Sequence, residues 1–362
     1  SNLLFGSVFY MLPIIITSSI RIGFLLETHL MNTQGEAKMK KISLLICALF
    51  MTGMLFSGQA LSADRIFFGI ATGGTGGTYY PLGGMLAQLI SNKVVIDGKK
   101  LSATAETGNA SVANATLLSR GGIESAFVAA DILDAAFKGT KQFKGKDLKN
   151  LRALGALYPE TVQLVVRANA GVKTFKDLKG KSISSGSPGS GQWQLLGDLL
   201  SSYGLDRKKD ISEDYSSFSQ SVEKIKDGNL DASLITAGAP TASVLELANH
   251  HDITILPLTG PAIKDLQKIQ PYYADAILPA DTYKGQSSDV QTIAVRAIWA
   301  THDKLDDETA YNVVKALYEN TDTLAKVHVK GKEISIEKAL ESVSIPIHPG
   351  AEKYYREKGL LK

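Results

Sequence analysis

Residues 70–84 read Ile70-Ala71-Thr72-Gly73-Gly74-Thr75-Gly76-Gly77-Thr78-Tyr79-Tyr80-Pro81-Leu82-Gly83-Gly84. A run of β-formers precedes this stretch and apolar residues at helical spacing follow it, which predicts a strand, a glycine-rich turn and a helix. The first turn of a helix has unpaired N–H groups and a partial positive charge. We therefore expect the turn to hold an anion or a ligand carboxylate without a charged side chain, with Gly76, Thr78 and Tyr79 in contact.

The composition is that of a globular protein of 362 residues, which is long enough for two domains. Hydrophobic residues make up 44% of the chain and charged residues 21%, which excludes a disordered or fibrous protein. Residues 1–63 hold four basic and two acidic residues, so the net charge of +3 falls to +1 for the remainder. A charge this small predicts no nucleic-acid partner and no anionic-membrane partner.

The first 63 residues contain a predicted signal peptide at 39–63. It has the three expected parts, which are a basic start at 39–41, an apolar run at 42–56 and a small-residue end at 57–63. Cleavage after Ala60 and cleavage after Ala63 both fit this pattern. We interpret residues 1–38 as an over-extended reading frame ahead of a start at Met39. The leader predicts export to the periplasm.

From residue 64 onward, β-rich runs alternate with helical patterns, which predicts an α/β fold with mainly parallel sheets. Two strand-like runs meet at Pro159 without a helix between them, as expected where a chain crosses from one sheet to another. We predict two lobes joined by hinge strands. Lobe 1 comprises 64–160 and 286–362, and lobe 2 comprises 161–285. Clefts between such lobes close on ligands by hinge motion.

A second strand-to-helix turn contains Ser187, Ser190 and Gly191. Either serine can cap the helix that follows, and the same hydroxyl geometry can donate to a ligand oxygen. One such turn lies in each predicted lobe, and both would face the cleft. The duplication favours two halves of one ligand site.

A third turn contains Asn109, Ser111 and Asn114, whose uncharged polar groups can both donate and accept hydrogen bonds. Asp131 follows the predicted strand 125–130 and would reach the same edge of the sheet. Its side chain could cap a helix or accept a hydrogen bond from a ligand ammonium. Both roles remain open at this point.

Catalytic motifs are not matched. The glycine-rich turn fails the dinucleotide pattern because Tyr79 stands where the third glycine belongs, and the serine turn fails the nucleophile-elbow pattern. The histidines form no constellation, and the only cysteine, Cys47, lies in the leader. We predict no catalytic residues, no metal and no cofactor. An enzyme on the same scaffold and a ligand-sensing module for a signalling partner are the alternatives.

The chain resembles the TRAP-associated extracytoplasmic immunogenic (TAXI) family, the solute receptors of tripartite ATP-independent periplasmic (TRAP) transporters. The resemblance covers nearly all of residues 65–360 and rests on the segments IATGGTGGTYYPLGG, TGNASVANATLL, FVAADI, VKTFKDLKGKSISSGSPGSG, ILPADTYKGQ and HPGAEKYYREKG. One departure lies in the second segment, where the family often has a glycine and a glutamate in place of Ala110 and Ala113.

The resemblance implies a two-lobed periplasmic binding protein of type II-like fold that binds glutamate or a similar small carboxylate. It also implies TRAP membrane permease subunits as partners, and we expect a monomer. Ligand contacts are carried over by this similarity onto Gly76, Thr78, Tyr79, Ser111, Asn114, Ser187 and Ser190.

Overall fold

The computed structural model describes residues 65–362, which belong to one compact unit. The predicted signal peptide at 39–63 and the predicted extension at 1–38 lie outside the described residues. Within the described part, no helix has the length and apolar character needed to cross a membrane.

Eleven strands in this part of the chain form one mixed sheet. Their bounds are β1 (Ile66–Ala71), β2 (Val95–Ile96), β3 (Lys99–Glu106), β4 (Ser125–Ala129), β5 (Leu151–Arg167), β6 (Lys181–Ser184), β7 (Ile211–Asp214), β8 (Ala232–Ala237), β9 (Ile253–Leu256), β10 (Ala274–Leu278) and β11 (Val290–His302).

Helices cover both faces of this sheet. They are α1 (Tyr79–Lys93), α2 (Ser111–Ser119), α3 (Ala130–Lys138), α4 (Gln192–Ser202), α5 (Phe218–Lys226), α6 (Ala242–His250), α7 (Pro261–Ile269), α8 (Asp307–Tyr318), α9 (Thr321–Ala325) and α10 (Pro349–Glu357). The observed fold is therefore α/β, as the alternation in the sequence predicted.

The strand order is β2-β3-β1-β4-β11-β5-β8-β6-β7, with β10 added to β11 and β9 added to β5. Strand β1 runs parallel to β3 and β4, and β6 runs parallel to β7 and β8. Between these two parallel sets lie β5 and β11, which run antiparallel to each other and to their outer neighbours. The sheet is thus mixed, whereas mainly parallel sheets were expected.

Strand β5 is one continuous strand of 17 residues, although the sequence pattern predicted two strands that meet at Pro159. Pro159 lies opposite Arg296 of β11, and the pairing is irregular between Arg296 and Ile298. Because proline has no N–H group to donate, a local irregularity lets the strand continue past it. The chain passes between the two parallel sets along β5 and β11. The division into two lobes stays a prediction.

The interior is continuous across the two parallel sets of strands. One large apolar cluster runs from Leu133 of α3 through Ile298 of β11 to Leu199 of α4. A second cluster packs Phe68 and Trp299 beneath α1, α8 and α10, with the two rings edge to face at 6.4 Å. Shared packing of this kind holds the loops at the strand ends in fixed positions relative to one another.

Candidate functional site

Five helices begin at the same pocket, and each of them follows a strand of one of the parallel sets. The residues just before their first turns all line this pocket, and they are Thr78, Ala110, Ala129, Gly191 and Ser217. Carboxyl ends of parallel strands lie at one edge of a sheet, where the loops that follow them meet. The pocket has a volume of about 200 Å³.

Four of these helices, α1 to α4, have no side-chain cap at the N-terminus. Only α5 has one, because Ser217 accepts a hydrogen bond from the backbone N–H of Gln220. Uncapped first turns leave N–H groups without intrahelical partners and give the surrounding walls a partial positive charge. The backbone of the pocket therefore suits an anionic group.

Two buried carboxyl groups, those of Asp131 and Glu160, also line the pocket. Each of these two residues is only 4% exposed. The hydroxyl of Tyr273 donates to Oδ2 of Asp131 at 2.9 Å, and the hydroxyl of Tyr79 donates to Oε2 of Glu160 at 2.7 Å. The second oxygen of Asp131, Oδ1, is buried and has no hydrogen-bond partner. The pocket thus combines backbone donors with side-chain acceptors.

Burial, helped by the negative charge of Asp131, raises the pKa of Glu160 to about 8, although the hydrogen bond from Tyr79 opposes this shift. Burial also raises the pKa of Asp131, while the hydrogen bond from Tyr273 and the charge of Lys141 oppose that shift. The pKa values of both tyrosines are raised well above the ordinary value, so their hydroxyls stay donors. At neutral pH, most Glu160 side chains therefore hold a proton.

Nine of the ten residues predicted from the sequence line this pocket. They are Gly76, Thr78, Tyr79, Asn109, Ser111, Asp131, Ser187, Ser190 and Gly191. Three of their hydroxyl groups differ in what they contact. Ser190 Oγ is buried without a partner, Thr78 Oγ1 donates to the Gly238 carbonyl at 2.9 Å, and Ser111 Oγ accepts from the Ala129 N–H at 3.0 Å.

Asn114 is the one predicted ligand contact that does not line the pocket. Its side-chain amide Nδ2 donates to the backbone carbonyls of Thr72 at 2.9 Å and Phe127 at 2.8 Å. The Thr72 carbonyl follows β1 and the Phe127 carbonyl belongs to β4, so the amide joins the ends of two neighbouring strands. Asn114 supports the pocket from behind.

We expect Asn114→Ala to lower the free energy of unfolding by about 2–4 kcal/mol, because it leaves buried carbonyl groups without their donor. Urea unfolding monitored by circular dichroism measures this loss. The matched control is Asn109→Ala, at an exposed position of the pocket rim, which we expect to change stability by less than about 0.5 kcal/mol. Equal effects of the two substitutions would contradict the supporting role of Asn114.

Gly76 lines the pocket at a point where a side chain would meet the opposite loop. A Cβ atom there would lie 2.5 Å from Ser219 Oγ and 3.2 Å from Ser243 Cβ. The Ser243 N–H also donates to the Gly76 carbonyl at 3.1 Å. Glycine is required because loops from the two parallel sets meet here, and a side chain would push them apart.

A second contact between the two sets lies at Gly189. Its carbonyl accepts from the N–H groups of Val112 and Ala113, both at 3.0 Å, and so occupies two donors at the start of α2. Together with the contacts of Gly76 and of Thr78, this bond joins loops from the two sets at separate points around the pocket. A solute held inside would be enclosed by both sets.

The sequence patterns missed several lining residues, of which Glu160 is the most informative. It is an acidic residue within a strand that is otherwise largely apolar, and that contrast was a signal that could have identified it. Ser217 precedes α5, and Phe218 and Ser219 begin it; this helix follows β7, a short strand that the sequence patterns did not predict. Arg167, at the end of β5, pairs with Asp231 at 2.7 Å and does not line the pocket.

The NMT1-like family matches residues 70–359, a range that includes every residue lining the pocket. The chain belongs to the NMT1-like family. Among residues 65–362 of this NMT1-like protein, no group of three or more His, Cys, Asp or Glu side chains is placed to hold a metal ion.

Solved structures similar to this NMT1-like protein include two sulfonate-binding proteins. The periplasmic aliphatic sulphonate binding protein SsuA from Escherichia coli is 16% identical, with 82% of this chain and 84% of that chain covered and a TM-score of 0.44. The alkanesulfonate-binding protein SsuA from Xanthomonas axonopodis pv. citri, bound to MOPS, is 17% identical, with 82% and 85% covered and a TM-score of 0.44.

A third similar structure is the ligand-binding component of an ABC-type import system from Staphylococcus aureus, with zinc bound. It is 12% identical, with 82% of this chain and 92% of that chain covered and a TM-score of 0.44. The ligands named for these three proteins are their own.

Proposed function

We propose that this NMT1-like protein is a solute-binding receptor that captures a small carboxylate, an amino acid such as glutamate, and delivers it to a membrane permease. One observation carries the proposal. Uncapped helix N-termini and the unpartnered oxygen atoms of Asp131 and Ser190 belong to the same pocket. Helix N-termini with free N–H groups favour a carboxylate, and buried polar atoms without partners favour a ligand that supplies them.

The strength of such a site is adequate for a receptor. Each hydrogen bond to a charged carboxylate contributes about 1.5–3 kcal/mol. Three or four of them reach the roughly 8 kcal/mol that corresponds to micromolar affinity, even after part is lost to ordering of the ligand and loops. A cationic side chain is not required.

The periplasm is the proposed location, and a TRAP permease is the proposed partner. The signal-peptide pattern at 39–63 supports export, and the TAXI-like segments support a TRAP system. The loops that line the pocket come from both parallel sets of strands, which supports a receptor that holds its solute between them. A gene for a fused large permease beside the gene for this chain would support transport, whereas a gene for a membrane kinase would support sensing.

An enzyme is the second candidate, and the raised pKa of Glu160 favours it. A carboxyl group with a pKa of about 8 in a pocket, hydrogen-bonded to Tyr79, has the properties of a general acid or base. A receptor uses the same group only to bind. Incubation of the protein with a bound amino acid, followed by chromatography of the solute, distinguishes the two, because only an enzyme converts it.

Native mass spectrometry of the purified protein tests the receptor proposal. We expect an added mass of a small amino-carboxylic acid, which is released on denaturation and identified by its fragments. The Gly76→Val variant serves as the matched control and is expected to carry no such mass. A protein that retains no solute and shows no thermal shift with any of the common amino acids or dicarboxylates would refute the proposal.

A further inference from the structure

The two carboxyl groups of the pocket have no cationic side chain beside them in the pocket wall. None of the lining residues, all of which fall within the described range 65–362, is Lys, Arg or His. Lys141 acts on Asp131 through its charge, but it lies outside the lining and its ammonium is 3.8 Å from Asp198. The positive partner of these carboxyl groups is therefore not supplied by the wall of the pocket.

The groups that face Glu160 come from each element packed around it. Tyr79 faces it from α1, Tyr158 from its own strand, Asp131 from α3 and Tyr273 from the segment before β10. All four are neutral or acidic, so none of them can balance an ionised Glu160. Because no cationic side chain of residues 65–362 lines the pocket, a cationic group of a ligand would stabilise a negative charge here.

Asp131 shows the same deficiency in its hydrogen bonds. Tyr273 donates to Oδ2 and the nearby backbone N–H of Ile132 lowers the pKa of the carboxyl group, while Oδ1 is buried and makes no hydrogen bond of ordinary geometry. A buried acceptor without a partner is unfavourable. A ligand that brings N–H donors and a positive charge would satisfy this oxygen and the charge together.

We propose that Asp131 and Glu160 together bind the protonated amine of the ligand, so that the receptor selects zwitterionic amino acids over carboxylates that have no amine. The inference rests on the proposed function, because it assigns the amine end of the ligand whose carboxylate end lies at the helix N-termini. An ammonium group beside Glu160 stabilises its ionised form. Binding at neutral pH then releases the proton that Glu160 holds.

Isothermal titration calorimetry with matched pairs of ligands tests the selection. The pairs are L-glutamate with 2-oxoglutarate, L-alanine with pyruvate, and L-leucine with 4-methyl-2-oxopentanoate. In the pair that binds, we expect the amino acid to bind at least about 100-fold more tightly than its 2-oxo acid, the ratio that corresponds to one or two lost charge-assisted hydrogen bonds. The Asp131→Asn variant is expected to lose most of this preference.

The outcomes separate this inference from the proposed function. A 2-oxo acid that binds as tightly as its amino acid overturns the amine site and leaves a carboxylate receptor standing. Failure of every amino acid and every oxo acid to bind refutes both. Calcium or zinc chloride alone binding at micromolar concentration in an Asp131-dependent manner would make the pair a metal site and would also overturn the inference.

Proton release gives an independent readout. Titration of the amino acid at pH 7 in phosphate and in Tris, which differ in ionisation enthalpy, measures the number of protons released per ligand. We expect about one proton for the wild-type protein and close to none for Glu160→Gln. The matched control is Glu124→Gln. The Glu124 carboxylate is partly buried, lies outside the pocket and accepts a hydrogen bond from the Gly69 N–H. Equal proton release in all three proteins would overturn the role of Glu160.

Discussion

Glu160→Gln is expected to make the protein more stable than the wild type above pH 8, while the two are of similar stability below about pH 5. The pKa of Glu160 is about 8 in the folded chain and 4.5 ordinarily. Between these values the folded protein holds a proton that the unfolded chain has lost. The contribution of Glu160 to the free energy of unfolding of the wild type is therefore highest at low pH and falls as the pH rises towards 8.

The expected size follows from the shift, since each pKa unit corresponds to about 1.4 kcal/mol. Glu160 alone would then remove up to about 5 kcal/mol between pH 4.5 and pH 8. Glutamine keeps the shape and can still accept the hydrogen bond from Tyr79, but it cannot ionise. The variant should thus lose this part of the pH dependence without losing the native packing.

Urea unfolding at pH 5, 7 and 8.5 measures this difference directly. Asp131 has a raised pKa with the same sign of effect, so the wild-type curve contains contributions from both groups, and the difference from Glu160→Gln isolates one of them. Glu124→Gln again serves as the control, because its carboxyl group lies outside the pocket. Parallel curves for Glu160→Gln and the wild type would show that Glu160 ionises in the folded protein as it does in water.

Gly76→Val is expected to abolish solute binding, with an affinity at least about 100-fold weaker than that of the wild type. A Cβ atom at this position would lie 2.5 Å from Ser219 Oγ, and valine adds two further methyl groups to this crowded position. The hydroxyl can rotate away, but Ser243 Cβ at 3.2 Å belongs to the start of α6 and cannot. The loops must therefore separate, and the hydrogen bond from Ser243 to the Gly76 carbonyl is lost.

The matched control is Gly84→Val, at an exposed position of α1 that does not line the pocket. A Cβ atom at Gly84 meets no other atom within 4 Å, so this variant tests whether a branched side chain at a nearby glycine is harmful by itself. Calorimetry with the co-purified solute compares the affinities, and small-angle X-ray scattering compares the radii of gyration. Retained affinity in Gly76→Val would show that the loop contact is not needed for binding.

Much of the fold could be read from the sequence because its signals are local. Helices α2 (Ser111–Ser119) and α4 (Gln192–Ser202) begin and end where their polar turns and apolar spacing indicated. The sequence pattern predicted two strands that meet at Pro159, but β5 continues through this residue. Proline lacks one N–H group, and pairing with the neighbouring strand β11 determines whether the strand can continue past it. Strand β7 was missed because Ile-Ser-Glu-Asp has the polarity of a loop, and only its pairing with β6 makes it a strand.

The candidate site was likewise predictable where its signals are local and not where they depend on contacts distant in the chain. The turns containing Gly76, Ser111 and Ser190 were predicted because each follows a strand and opens a helix, which is a local pattern. The importance of Glu160 depends on Tyr79, which is 81 residues away in the chain, and on a buried setting that no local pattern encodes. The role of Gly76 likewise depends on Ser219 and Ser243, which only the folded sheet brings close.

The most direct test of the receptor account is a crystal structure of the protein purified with its solute retained. We predict electron density for one small amino-carboxylic acid in the pocket, with its carboxylate at the first turns of α1 or α4 and its amine within hydrogen-bond distance of Asp131 and Glu160. Density for the solute outside this pocket, or inside it with the amine directed away from both carboxyl groups, would contradict the account.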